Sequence, residues 1–404
     1  MATADELRAA IEAHGVPLAT PEELDAMGPD AWRRVRMAAV WKQPRGLLER
    51  CGRNLRVAMS LGAGVDFLLG STAVLSPDGS TVIVPETPSL LPAGGGGEEE
   101  EAPLLVARIV DPHMASRMAS WVAWGVLTWQ RRMLEYAEYQ RRSEWAGTRV
   151  EQGHNVDSRC VQVALLGYGI MGRSAAALLA RMGYCVNAWA RGDPREKRRG
   201  RRAEEAPKEE ERGLEALEEW DEEERDCGAP PGRIRVCWPT RGPNAAAEQQ
   251  QLRAFVAGMD VLVVLLPLTP QTVRVVDADL LARLEQGACL INGARGAHVD
   301  AAAALAALDQ GQLDMALLDV FDEEPLPSTS PLWKHPRVVI TPHSAAFTEV
   351  GRAAEQVGRA WRAVVAAEEE AAEGQDKTRD VRQIEAEYLA KALGANLVDR
   401  EAGY

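Results

Sequence analysis

Between Val161 and Arg191 a short apolar run enters Gly167-Tyr168-Gly169-Ile170-Met171-Gly172, continues through an Ala-rich segment and ends on Cys185-Val186-Asn187-Ala188-Trp189-Ala190-Arg191. The order reads as strand, glycine turn, helix and second strand. Each glycine has its own duty: Gly167 makes the tight turn, Gly169 lets the backbone approach a pyrophosphate, and Gly172 lets helix and strand pack closely. The phosphates then meet the helix N-terminus at Ile170 and Met171. A polar residue, Arg191, closes the second strand roughly 20 residues on, where dinucleotide sites contact the adenosine ribose. Asp or Glu there would accept hydrogen bonds from a 2′-hydroxyl, whereas an arginine meets a 2′-phosphate. NADP(H) is therefore favoured over NAD(H), although Arg191 also opens a basic run that continues through Arg202.

With 404 residues, 46% of them hydrophobic, the chain has material for more than one core. A formal net charge of −14 argues against nucleic acid as a general partner. No run approaches a membrane span, and the first residues lack a basic start and apolar core. The six cysteines show neither a CxxC nor a His/Cys ligand spacing, which predicts free thiols, a reducing compartment and no metal.

Apolar runs at Val161–Leu166, Val186–Trp189, Val261–Leu266, Ala288–Ile291, Met315–Val320 and Val338–Thr341 alternate with helical patterns such as Ala301–Leu308. That alternation predicts an α/β fold, a doubly wound parallel sheet of Rossmann type covered by helices. Ahead of it, a helical start at Glu6–Ala13, strands at Met37–Trp41 and Leu55–Ser60 and an amphipathic segment from Met114 to about Glu144 predict a smaller α/β domain feeding a connecting helix. The expected division is 1–145 with 345–404 for the smaller domain and 146–344 for the dinucleotide domain. Residues 91–102, 193–231 and 368–393 read as insertions or flexible segments, being Gly-rich or densely charged.

Four further blocks each follow a strand. They are Leu265-Leu266-Pro267-Leu268-Thr269-Pro270, Ile291-Asn292-Gly293-Ala294-Arg295-Gly296, Asp319-Val320-Phe321-Asp322-Glu323-Glu324-Pro325 and Ile340-Thr341-Pro342-His343. In open α/β sheets the carboxyl ends of strands converge on the ligand crevice, so Arg295, Glu324 and His343 are expected to meet there. In this order the blocks resemble the D-isomer-specific 2-hydroxyacid dehydrogenases. The likeness covers nearly the whole chain apart from the three insertions. Within the family it is most similar to the glyoxylate/hydroxypyruvate reductase A type, on Ala39-Val40-Trp41, Leu61-Gly62-Ala63-Gly64-Val65-Asp66, Ser330-Pro331-Leu332-Trp333-Lys334-His335-Pro336 and the ending Val398-Asp399-Arg400-Glu401-Ala402-Gly403-Tyr404.

The resemblance implies a flavodoxin-like substrate domain, a homodimer and NADPH-dependent reduction of a small 2-keto acid, glyoxylate or hydroxypyruvate, in the cytoplasm or, if the N-terminus is truncated, in an organelle. His343 would donate the proton, and Glu324 would orient its ring and favour the imidazolium. Arg295, a permanently charged fork of donors, would hold the substrate carboxylate and polarise the keto oxygen. The amides of Gly62, Ala63, Gly64 and Val65 would bind the carboxylate's other face, and Trp41 matches a substrate-pocket position, although a core role suits it nearly as well. Leu266, Pro267, Ala294 and Asp319 would flank the cofactor, Asp319 at its nicotinamide end. The other five histidines, His335 among them, read as structural or exposed. A glutamine in place of Glu324 would have pointed to formate dehydrogenase. A second class remains open, a dinucleotide-sensing interaction protein like the family's corepressors, using its charged insertions as binding segments.

Overall fold

The computed structural model describes residues 4–40, 50–51, 54–65, 68, 73–75, 81–83, 104–146, 157–190, 232–238, 245–373, 381–394 and 397–398. Trp41, Arg191 and the expected insertions at 91–102 and 193–231 lie outside them. The chain divides into two units, residues 1–111 with 347–404 and residues 112–346.

In the first unit, β1 (Met37–Val40), β2 (Val57–Ser60) and β5 (Leu105–Arg108) form a parallel sheet in the order β1-β2-β5. A separate antiparallel pair joins β3 (Ala73–Leu75) to β4 (Thr81–Ile83). Helix α1 (Ala4–Glu12) is followed by α2 (Pro21–Met27), whose start is fixed by a reciprocal cap between Thr20 and Glu23, and by α3 (Pro29–Trp32). The described part of the expected charged tail at 368–393 is helical, and its second helix is packed. It holds the end of the helix Val350–Glu373 and the whole of the helix Val381–Leu393, whose Leu389 and Leu393 are buried with Val57, Met59, Ala107 and Val364. Charge on the outer faces concealed an apolar stripe that needs a core to cover it.

The second unit carries a seven-stranded sheet, parallel throughout, in the order β12-β11-β10-β9-β6-β7-β8. Its strands are β6 (Gln162–Leu166), β7 (Cys185–Trp189), β8 (Ile234–Cys237), β9 (Val261–Val264), β10 (Ala288–Asn292), β11 (Leu313–Leu318) and β12 (Val338–Ile340). Counted from β6, this is the doubly wound 3-2-1-4-5-6 arrangement with one strand added, and its order reverses between β6 and β9. Side chains alternate across the sheet. Val163, Leu165, Val261 and Val263 face one core, and Ala164, Leu166, Leu262 and Val264 the other. Covering both faces explains why the strands read as continuous apolar runs.

The boundary near residue 111 departs from the expected one at 145. Helix α4 (Pro112–Gln130) buries Val122, Val126 and Trp129 against the same core as Val163, Ile291 and Leu317. At about 1.5–3 kcal/mol per large apolar side chain, that face commits the helix to the larger unit. Gly125 allows the approach, since a Cβ there would lie 2.5 Å from the Leu317 side chain. The expected single segment to Glu144 is broken after Gln130: Arg132 adopts φ 54° and its guanidinium binds Asp314 before α5 (Met133–Arg141) begins.

Candidate active site

The glycine turn sits where the strand order reverses. Gly167 has φ 103° and its N–H donates to Trp189 O at 2.9 Å, while a Cβ there would lie 2.5 Å from the Leu265 carbonyl oxygen. Helix α6 (Ile170–Arg181) starts at Gly169, and no side chain caps it. Its first-turn N–H groups and the positive end of its dipole are thus presented to an anion. A Cβ on Gly169 would meet nothing within 4 Å, which is the open cradle a pyrophosphate requires, whereas one on Gly172 would lie 1.9 Å from Gly167 O. The residues present fit a dinucleotide. Two substitutions separate fold from ligand. Gly172→Ala is expected to destabilise the turn by about 1–3 kcal/mol through overpacking. Gly169→Ala is expected to leave the melting temperature unchanged yet weaken NADPH binding by about tenfold or more, a loss of about 1.4 kcal/mol. Calorimetric titration beside thermal melts checks both, and undiminished binding in Gly169→Ala would contradict the cradle.

Pro267 lies just beyond β9. Its carbonyl accepts from the Thr272 hydroxyl at 2.8 Å and lies 3.3 Å from His298 Nε2. Leu266 is half-buried beside the core that contains Leu166. After β10, buried Asn292 shapes the turn, its Oδ1 accepting from Ala294 N at 3.1 Å and its Nδ2 donating to Arg295 O at 2.9 Å. Arg295 is half-buried and donates from Nη1 to Ala294 O. A Cβ on Gly296 would lie 2.0 Å from the Phe321 carbonyl carbon, so this turn packs directly on the backbone that follows β11. That backbone carries Glu324.

Glu324 Oε1 accepts from Phe321 N at 3.0 Å, and its Oε2 lies 2.7 Å from His343 Nδ1. A carboxylate accepts, so Nδ1 carries a proton and Nε2 is the nitrogen left to face a substrate. Burial pushes the Glu324 carboxyl up. The hydrogen bonds from His343 and Phe321 N, with the charges of His343 and Arg295, outweigh it and hold the group below its ordinary 4.5. Its stabilising contribution is therefore complete above the unfolded value and lost as pH falls through the lower folded one. Glu324→Gln is expected to flatten the fall in melting temperature as pH is lowered through 4.5 and below, read by thermal melts beside the unsubstituted protein. Equal falls in both would exclude this linkage.

His343 itself adopts φ 52° and is held there from behind. Its N–H donates to Asp319 O at 2.8 Å and lies 3.1 Å from Thr341 O. The Asp319 side chain, 2% exposed, takes the Thr341 hydroxyl at 2.5 Å and Ser344 N at 2.8 Å on Oδ1, and Ala345 N at 3.0 Å on Oδ2. Trp121 of α4 donates from its indole to Thr341 Oγ1 at 3.2 Å. The residue expected at the nicotinamide end is thus also the anchor of the histidine turn. Thr341, Ser344 and Trp121 were not singled out in the sequence. Thr341 stood two residues before His343, and nothing local marked its partner.

In the first unit, the Gly62–Val65 turn follows β2. Ser60 donates to Gly64 O at 2.6 Å and accepts from Gly62 N at 3.2 Å. The Gly62 amide, expected to face a carboxylate, is therefore already committed. Those of Ala63, Gly64 and Val65 have no acceptor among the described residues.

Among the described residues no helix is long and apolar enough to cross a membrane. No group of three His, Cys, Asp or Glu there is arranged to hold a metal.

Comparison with known proteins adds to this geometry. The family model for the D-isomer specific 2-hydroxyacid dehydrogenase NAD binding domain matches residues 235–345. Glyoxylate/hydroxypyruvate reductase A of Serratia proteamaculans (strain 568) is 33% identical over 335 residues, 83% of this chain and 84% of that protein. A D-isomer specific 2-hydroxyacid dehydrogenase from Xanthobacter autotrophicus Py2, solved with NADPH and MES, superposes with a TM-score of 0.61 at 29% identity, covering 100% of this chain and 97% of that one. An NADPH-dependent glyoxylate/hydroxypyruvate reductase from Sinorhizobium meliloti, solved with NADP and sulfate, gives 0.61 at 25% identity over 100% and 97%.

Proposed function

Because the chain belongs to the D-isomer specific 2-hydroxyacid dehydrogenases, NAD(P)-dependent oxidoreductases, we propose that it reduces glyoxylate or hydroxypyruvate to the 2-hydroxy acid with NADPH. The observation that carries the reading is the His343–Glu324 pair at 2.7 Å, with the charge of Arg295 acting on the same carboxylate. When bound, the reduced nicotinamide supplies a hydride to the keto carbon. Arg295 holds the substrate carboxylate and draws electron density toward the keto oxygen. His343 gives the Nε2 proton to that oxygen as its charge develops, and Glu324 holds the ring and balances the imidazolium before transfer. The amides of Ala63, Gly64 and Val65 are proposed as donors to an organic carboxylate. Leu266, Pro267 and Ala294 are proposed to flank the dinucleotide, and Ile170 and Met171 at the helix N-terminus are proposed to hold its phosphates.

The choice of NADPH rests on the sequence reading of Arg191, and on the NADPH and NADP held by the two solved relatives. Oxidation of NADPH and NADH with each keto acid, followed by nicotinamide absorbance, tests both parts. Arg191→Asp is expected to move selectivity toward NADH by about tenfold or more, as removal of a charge-assisted phosphate contact implies. Tight NADPH binding without turnover of either acid would overturn the reductase reading, and unchanged selectivity would overturn the role of Arg191.

A further inference from the structure

His298 is fully buried on the short turn Gly296–His298 that follows Arg295, and no step of the proposed reaction uses it. Its ring spans two backbone groups distant in sequence. Nε2 lies 3.3 Å from the carbonyl oxygen of Pro267, and Nδ1 lies 3.2 Å from the amide nitrogen of Arg295. A carbonyl only accepts and an amide N–H only donates, so the contacts select the neutral ring with its proton on Nε2. The Arg295 carbonyl, which receives the Asn292 amide at 2.9 Å, also lies 3.2 Å from Nδ1, so this edge of the ring sits against both polar groups of the Arg295 backbone. The ring is prevented from drifting because Arg274 N donates to Ala297 O at 2.8 Å and Val276 N to His298 O at 3.0 Å.

We propose that His298 is a positioning residue for the reaction, clamping the backbone of Arg295 to the carbonyl of Pro267 so that the substrate-binding guanidinium and the cofactor-flanking loop keep one register. This rests on the reading of Arg295 and Pro267 given above. The job requires a rigid side chain with an acceptor at one edge and a donor at the other, which neutral imidazole supplies. Leucine fills similar volume but removes the ring acceptor from the Arg295 amide and leaves the Pro267 carbonyl with only the Thr272 hydroxyl of its two side-chain partners. Asparagine restores an acceptor near the position of Nδ1 and cannot reach Pro267.

The test compares the full chain with His298→Leu and His298→Asn. In His298→Leu the KM for glyoxylate is expected to rise by about tenfold or more and the NADPH dissociation constant to rise with it. In His298→Asn the NADPH constant is expected to rise while the glyoxylate KM stays within about threefold of the original, because the Arg295 contact is kept. Amide hydrogen exchange at Arg295 in cofactor-free protein is expected to be about tenfold faster in His298→Leu and unchanged in His298→Asn. Exchange at Arg295 that is equal in all three proteins, or parameters that all change in proportion to lost thermal stability, would overturn the proposal. If His298→Leu does not fold, the split between KM and NADPH affinity in His298→Asn decides. If the unsubstituted chain reduces neither keto acid, the functional reading falls separately, and accelerated exchange in His298→Leu still demonstrates the clamp.

Discussion

Replacing His343 with alanine is expected to lower kcat for keto-acid reduction by about 10²–10⁴-fold, the usual contribution of a positioned general acid. NADPH affinity and thermal stability should change little. The side chain is 47% exposed and anchors no core, so its loss opens no cavity. The left-handed backbone at φ 52° costs an L residue such as alanine about 1–2 kcal/mol, a cost that histidine also bears in part, so the strain added at the turn is small. The loss should therefore fall on proton transfer. Steady-state rates across pH, with NADPH titrations on the same preparations, check this. A kcat within threefold of the original would remove His343 as the proton donor, leaving water or another group to fill that role.

Asp319→Ala is expected to damage both fold and rate. The substitution strips the acceptor from the Thr341 hydroxyl and from the amides of Ser344 and Ala345 at a site that is nearly dry. Each buried group left unpaired costs about 1–3 kcal/mol, and the three share one carboxylate, so a total of about 3–5 kcal/mol is expected. The His343 turn would then lose what holds it in its left-handed conformation, and kcat should fall by at least about tenfold even where the protein remains folded. Denaturant unfolding gives the first quantity and turnover at low temperature the second. Full kcat in a destabilised Asp319→Ala protein would mean that Glu324 and the backbone bond from His343 N to the residue 319 carbonyl hold the histidine turn without the carboxylate. Asp319→Asn sharpens the comparison, because one oxygen remains while the new NH₂ group faces N–H donors.

Much of the larger unit was legible in the sequence because its signals are local. The strands at 162–166, 185–189, 261–264, 288–292, 313–318 and 338–340 fall within two residues of the apolar runs that announced them. A strand buried on both faces has to be apolar along its whole length, and its neighbours are fixed by crossover helices. Four short strands, β3, β4, β5 and β8, escaped notice. β5 and β8 each follow a charged segment, and runs of three or four residues carry little pattern by themselves. The end of the chain misled in the opposite direction. The residues from Glu368 onward look solvated by composition, yet Leu389 and Leu393 sit in a core with Val57, Met59 and Ala107, hundreds of residues away.

Arg295, Glu324 and His343 were named as candidates from the sequence, since each stands after a strand in an ordered series of blocks. So did the three glycines, because φ 103° at Gly167 and the 1.9 Å approach at Gly172 are demands that one residue type satisfies. What only the tertiary structure decided is how those groups are held: Asp319 as the anchor of the His343 turn, Trp121 reaching Thr341 from a helix more than two hundred residues earlier, Gly62 committed to Ser60, and His298 between Arg295 and Pro267. The physical reason is the range of the forces involved. Turn sterics and side-chain periodicity act within a few residues and leave their mark in sequence, whereas a buried hydrogen bond depends on which distant backbone group the packed sheet happens to bring within about 3 Å.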